Sequence, residues 1–94
     1  SQEQLVIREG QLLEDEGRVK EALDCYTKAI ENKISGNRIL YSHAQALLKL
    51  GDPSSRKRAI ASLESITDGY WKTLAQKVLD EVKTEKTNAK EGNP

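Results

Sequence analysis

The stretch EGQLLEDEGRVKEALDCYTKAI, residues 9–30, places small residues inside two segments that otherwise favour helices. Gly10 and Gly17 border the first segment, and Ala22 and Ala29 lie in the second. A glycine within a helix costs about 1 kcal/mol relative to alanine. We therefore expect the small residues to be contact points between closely packed helices, where packing offsets the lower helix propensity.

Apolar residues recur at spacings of three, four and seven along most of the chain, which predicts helices rather than strands. Turn and capping residues separate these segments: Gly17, Ser35-Gly36-Asn37, Gly51 and Asp68-Gly69. Asp52-Pro53 is typical of a helix start, because the missing N–H of proline costs nothing at the first position. The sequence predicts an all-α fold with five helices, near residues 2–16, 19–34, 37–50, 53–67 and 69–83.

The last segment of the chain has no apolar residue larger than alanine after Lys83. We therefore expect one helical domain over residues 1–83 and a disordered tail over residues 84–94. No apolar run approaches the roughly 18 residues that a membrane span needs, so no membrane partner is expected. The net charge is +0, and the one basic cluster, Arg56-Lys57-Arg58, has no interleaved aromatic residues, so no nucleic-acid partner is expected either.

The chain has one cysteine, Cys25, and one histidine, His43. A single cysteine excludes an intrachain disulfide and favours a reducing compartment, and no targeting signal is visible, so we expect a cytoplasmic location. Nothing at a suitable spacing would orient Cys25 and His43 as nucleophile and base, and a metal ion needs more ligands. We expect no enzyme activity, no catalytic residue, no metal and no cofactor. Glu9 could pair with His43.

A period of 34 residues relates the first two predicted helix pairs. Four pairs of residues share this separation: Val6 and Leu40, Gly10 and Ala44, Leu13 and Leu47, and Gly17 and Gly51. One separation shared by small, apolar and turn positions predicts an internal repeat whose unit is a pair of antiparallel helices.

These positions resemble the tetratricopeptide repeat, whose pattern is W-x2-L-G-x2-Y…A-x3-F…P. The matching residues of the first unit are Gly10, Leu13, Gly17, Ala22, Tyr26 and Ala29. Those of the second unit are Leu40, Ala44, Leu47, Gly51, Ala59 and Leu63. Trp71, Leu74, Ala75 and Val78 resemble the opening helix of a third. The resemblance covers residues 4–82 and implies an antiparallel helix-pair solenoid of about two repeats with a C-terminal capping helix.

The chain departs from the family pattern in two ways. The closing proline of each unit is absent, and Ile34 stands in its place in the first. Three extra residues lie between Gly51 and Ala59, which predicts an additional helical turn that begins at Pro53. The link from Ala59 to Trp71 is correspondingly short, so we expect a short fourth helix.

In this family the first helix of each unit lines a concave groove that binds an extended peptide or a partner helix. The resemblance therefore implies a non-catalytic protein-interaction module, part of a larger scaffold, adaptor or co-chaperone. The glutamine that follows the small residue of each unit would form a row along this groove. The expected groove residues are Ile7, Gln11, Arg38, Tyr41, Gln45, Lys72 and Gln76. The same glutamines also suit an ordinary solvated helix face.

One subfamily binds the C-terminal carboxylates of chaperones through a clamp of lysine and asparagine. Ile7, Gln11 and Ser42 occupy clamp positions here, so binding of Hsp70 or Hsp90 tails is not expected. The alternative function is self-association, by end-to-end stacking or helix exchange. We expect a monomer in which Tyr70, Leu74, Val78 and Val82 face inward and Trp71 packs on the fourth helix; a dimer is expected instead if Trp71 and Leu79 are exposed together.

Overall fold

The computed structural model describes residues 1–91, with side chains described as far as Thr84. This part of the chain contains five α-helices and no strand, which confirms the predicted all-α class. The helices are α1 (Gln2–Asp15), α2 (Val19–Glu31), α3 (Asn37–Leu50), α4 (Pro53–Glu64) and α5 (Gly69–Glu91).

Capping residues begin α1 and α4, and the sequence predicts the second of these starts. Ser1 starts α1 with a capping box, in which its hydroxyl accepts from the backbone N–H of Gln4 at 3.3 Å. Asp52 starts α4 by accepting from the backbone N–H of Ser55 at 3.0 Å, and Pro53 follows at the first helical position. Asp52 and Pro53 thus begin the additional turn that the extra residues predict.

A residue with positive φ terminates each helix of the first pair. Gly17 follows α1 at φ 80°, and Lys33 follows α2 at φ 67°. At the end of α2 the N–H of Ile34 donates to the carbonyl of Ala29 at 2.8 Å. This Schellman arrangement satisfies carbonyls at the helix end. It ends α2 at Glu31, three residues before the predicted limit, because Lys33 adopts a conformation usually reserved for glycine or asparagine.

Helix α3 is central, since it contacts all four other helices, and α1 also contacts α2. The largest fully buried side chains are Tyr26, Ile39, Leu47 and Leu63. Gly10 faces the ring of Tyr26 so closely that an added Cβ would overlap it. The expected role of Gly10 as a close contact point between helices is confirmed in this pair.

The fifth helix extends further than the sequence predicts. It continues to Glu91, so the predicted end at residue 83 is wrong, and residues 84–91 of the expected disordered tail are helical. Elongating a formed helix fixes one residue for each new hydrogen bond, so a segment rich in lysine and glutamate can continue it without an apolar face. The remaining tail, residues 92–94, lies outside the described residues.

The fifth helix is also rotated relative to the prediction. Val82 is buried and Leu74 and Val78 are half-buried, as expected, whereas Tyr70, also expected to face inward, is 68% exposed. Ala75 and Leu79 are buried as well, and Trp71 is half-buried. Trp71, Ala75 and Leu79 lie 32 residues after the buried Ile39, His43 and Leu47, one residue more than the separation of the small residues Ala44 and Ala75. One residue of shift rotates a helix by about 100°. Trp71 and Leu79 therefore do not form the exposed patch that would have favoured a dimer.

Candidate functional site

Several predicted groove residues lie together around a cleft of about 420 Å³ formed by α1, α3 and the start of α5. We call it the α1–α3 cleft. Its lining consists of Gln11, Glu14, Asp15, Arg38, Tyr41, Ser42, Gln45, Lys49 and Trp71. The α3 members follow helical spacing, which places them on one side of that helix.

Two aromatic rings form one wall of the cleft. The ring centroids of Tyr41 and Trp71 are 5.5 Å apart, and the rings are tilted by 50°. Gln45 Nε2 donates to the Tyr41 hydroxyl at 3.0 Å, which orients the phenol from one turn further along α3. Tyr70 packs its edge against Trp71 with centroids 5.1 Å apart. Such a wall offers an apolar side chain a flat surface with a polar rim.

Glu14 and Lys49, which line the cleft, belong to a three-residue network with Tyr26. The Glu14 carboxylate accepts from the Tyr26 hydroxyl at 2.8 Å and from Lys49 Nζ at 2.7 Å, and so connects α1, α2 and α3. Burial and the bond to Glu14 raise the pKa of Tyr26. Because Glu14 already neutralises Lys49, that lysine is less able to bind a ligand anion.

Arg38 is the cation of the cleft that remains accessible. It is exposed, and within residues 1–84 it forms no ion pair. It also borders a neighbouring hollow along α1 that includes Gln11 and Asp15. A guanidinium in this position can bind a carboxylate with two parallel hydrogen bonds.

Three predicted groove residues lie elsewhere. Ile7 is 2% exposed and belongs to the core, and it also borders the hollow along α1 that Gln11 and Arg38 line. Lys72 and Gln76 line a separate face of α5 together with Thr73 and Asp80. The structure therefore does not bring the three glutamines of the predicted row together. Gln11 and Gln45 share the cleft, but the rotation of α5 moves Gln76 away, where its Nε2 donates to Asp80 at 3.0 Å.

Trp71, Lys49, Glu14 and Asp15 were not among the residues that the sequence predicts for the groove. Lys49 lies four residues after Gln45, so helical spacing alone could have placed it on the same side. Trp71 could not be found in this way, since its position depends on the rotation of α5.

His43 and Cys25 have separate structural roles. His43 is buried, and its Nδ1 shares a 2.7 Å hydrogen bond with Ser62 Oγ of α4; within residues 1–84 it forms no ion pair with Glu9. Burial, followed by the nearby Arg58, lowers the pKa of His43. The Cys25 thiol lies 3.9 Å from the Val6 carbonyl, and burial raises its pKa, which reduces its reactivity.

No cluster of three or more histidine, cysteine, aspartate or glutamate side chains within residues 1–84 could hold a metal ion. None of the helices, over the part of the chain described, has both the length and the apolar character that crossing a membrane requires.

Comparison of the chain with models of protein families, with curated protein sequences and with solved structures finds no match. The resemblance to the tetratricopeptide repeat therefore rests on the residues and spacings given above.

Proposed function

We propose that the chain is a non-catalytic protein-interaction module of the tetratricopeptide type, which binds an extended peptide segment of a partner in the α1–α3 cleft. The observation that carries this proposal is the meeting of two glutamines, two aromatic rings and an accessible arginine in one cleft. Gln11 and Gln45 lie 34 residues apart and both reach it.

The helix-pair solenoid is part of the same proposal. Each helix contacts the next along the chain, and the first helices of successive units, α1 with α3 and α3 with α5, contact each other as well. The close approach of Gly10 to Tyr26 gives a physical reason for the small residue of the repeat pattern. Both features are those expected of stacked helix pairs.

The lining of the cleft indicates the chemistry of the ligand. Glutamine side chains can donate to and accept from a peptide backbone. The wall formed by Tyr41 and Trp71 suits an apolar side chain, and Arg38 suits a nearby carboxylate. We therefore expect the bound segment to carry an acidic residue close to an apolar one.

A peptide-display selection against the full chain tests this proposal. Selected peptides are titrated while the fluorescence of Trp71, the only tryptophan, is followed. The Tyr41→Ala/Gln45→Ala double variant should weaken binding by about tenfold or more, and Arg38→Ala should weaken acidic peptides selectively. Lys20→Ala, an exposed change on α2, is the matched control. Peptides whose affinity is unchanged by the cleft variants would contradict the proposal.

A further inference from the structure

The α1–α3 cleft lies between two helices that run in the same direction. Near their starts, the Glu3 carboxylate lies 2.9 Å from the position that a Cβ on Gly36 would take. Near their ends, Lys49 Nζ donates to the Glu14 carboxylate at 2.7 Å. Because both ends of α1 meet the matching ends of α3, a position along one helix gives the position along the other.

The two ends of the cleft carry opposite charges. Arg38 is the second residue of α3 and Asp15 the last residue of α1, and both line the cleft. Asp15 lies 34 residues before Lys49, so the backbones of Arg38 and Asp15 lie about 16 Å apart along the helix axes. Both side chains are exposed, and over residues 1–84 neither forms an ion pair.

The other charged groups leave this polarity in place. Glu14 and Lys49 also line the cleft, but they neutralise each other in their ion pair. Glu3 and Arg8 have opposite charges, and neither of them lines the cleft. The cleft therefore offers a ligand one accessible cation at one end and one accessible carboxylate at the other.

The helix dipoles of α1 and α3 have the same polarity as these side chains. Partial positive charge at the two helix N-termini lies near Arg38, and partial negative charge at the two C-termini lies near Asp15. An arginine in the first turn and an aspartate in the last turn each lower the stability of their own helix. Helix stability therefore does not explain these two residues, whereas binding of a charged ligand would.

The aromatic wall divides the cleft unequally. Tyr41 lies three residues after Arg38 and eight before Lys49, so the wall is much nearer to the arginine. An extended peptide rises about 3.3 Å for each residue. It therefore covers about one or two residues between Arg38 and the wall, and about four between the wall and Asp15.

We infer that the α1–α3 cleft binds an extended partner segment with charges of opposite sign in a fixed arrangement. An acidic residue next to the apolar anchor pairs with Arg38, and a basic residue about four positions beyond the anchor pairs with Asp15. This inference rests on the proposed peptide binding and adds the basic residue and its spacing. A segment with the two charges exchanged meets like charges at both ends of the cleft.

Titration of the full chain with designed peptides, followed by the fluorescence of Trp71, tests the inference. The first peptide places glutamate directly before leucine and lysine about four positions after it, with serine elsewhere and blocked termini. A second peptide has this order reversed, which covers the opposite chain direction, and the tighter binder of the two serves as the reference. Replacing its lysine by glutamine should weaken binding about threefold, and exchanging glutamate and lysine should weaken it about tenfold.

Variants of the chain assign these differences to the cleft. Asp15→Asn should make the reference peptide and its glutamine version bind equally well. Asp24→Asn removes an exposed carboxylate of α2 that lies outside the cleft, and as the matched control it should preserve the difference. Arg38→Glu with Asp15→Lys should make the exchanged peptide the tighter binder. This double variant should also remain folded, because each new charge suits its helix dipole.

The outcomes separate this inference from the proposed function. Reversal of the preference by the double variant supports the inference. If Tyr41→Ala weakens binding but the Asp15 and Arg38 variants leave the order of the peptides unchanged, the inference is overturned and peptide binding in the cleft stands. If neither peptide responds to Tyr41→Ala, or none binds, the proposed function fails and the inference fails with it.

Discussion

Helices α1 and α3 have matching residues at a separation of 34, yet they differ in burial. Positions 5, 9 and 12 of α1 are exposed, and their counterparts Ile39, His43 and Ala46 of α3 are buried. The side of each helix that faces the following helices is alike, since Gly10 and Ala44 are both buried. The difference lies on one side of the two helices, which is buried in α3, where His43 bonds Ser62 of α4, and exposed in α1.

This comparison separates what a repeat pattern determines from what a neighbour determines. The pattern places apolar and small residues at fixed angles around each helix. Whether they stabilise the fold depends on the surface that lies opposite. The same residue type should therefore have a large effect on stability in α3 and a small one in α1.

The largest difference in the loss of stability is expected between the variants Ile39→Ala and Leu5→Ala. Ile39 is fully buried, so its truncation leaves a cavity and should lower the free energy of unfolding by about 3 kcal/mol. Leu5 is 66% exposed, and its truncation should cost less than about 0.5 kcal/mol. Urea denaturation of both variants measures the two values. Similar losses would mean that Leu5 is covered in solution.

The next largest difference in stability is expected between substitutions of two glycines, Gly10 and Gly36. Gly10→Leu should destabilise by about 1–3 kcal/mol, because a side chain at this position overlaps the ring of the fully buried Tyr26. Gly36→Leu is the control, since a Cβ there meets only the carboxylate of Glu3 at the end of a flexible side chain. Thermal melts compare the two. An equal or larger loss for Gly36→Leu would contradict close packing at Gly10.

The sequence predicts most of the fold, because its signals are local. The turns at Gly17 and Gly51 and the Asp52-Pro53 start place four helix boundaries to within about one residue. The end of α2 depends on the positive φ of Lys33. A lysine in the sequence gives no sign that it will adopt this conformation. The rotation of α5 depends on the packing of Trp71 against Tyr41 across the fold, so no local pattern could supply it.

The candidate site was predictable only where it lies on α1 and α3. Helical spacing brings Arg38, Tyr41 and Gln45 together, and the 34-residue period adds Gln11. The burial of Ile7 was not predictable in this way, because spacing along one helix does not show which side the other helices cover. The burial of a residue between two first helices depends on their packing, which becomes visible only in three dimensions.

The pH dependence of stability should distinguish His43 from its counterpart Glu9. Burial lowers the pKa of His43 in the folded state, so below its ordinary value of about 6.5 the unfolded state binds more protons. The free energy of unfolding should therefore fall as the pH decreases from 7 towards 5. Because one proton is involved, the slope cannot exceed about 1.4 kcal/mol per pH unit.

His43→Gln should remove this part of the pH dependence, while Glu9→Gln should leave it in place. Denaturant midpoints at pH 7, 6 and 5 provide the measurement. If His43→Gln leaves the slope between pH 7 and 6 unchanged, the histidine is already solvated in the folded state.

The smallest difference in the loss of stability is expected between alanine substitutions of the two glutamines of the cleft, Gln45 and Gln11. Gln45 is half-buried and donates to the Tyr41 hydroxyl at 3.0 Å, so Gln45→Ala should lower the free energy of unfolding by about 0.5–1 kcal/mol. Gln11 is exposed, and Gln11→Ala should cost less than about 0.5 kcal/mol. If both residues nevertheless contact a ligand, both changes should weaken the binding of a selected peptide by similar factors. A Gln11→Ala variant that is as unstable as Gln45→Ala would show that α1 closes on α3 more tightly in solution, which would leave less room for a peptide between them.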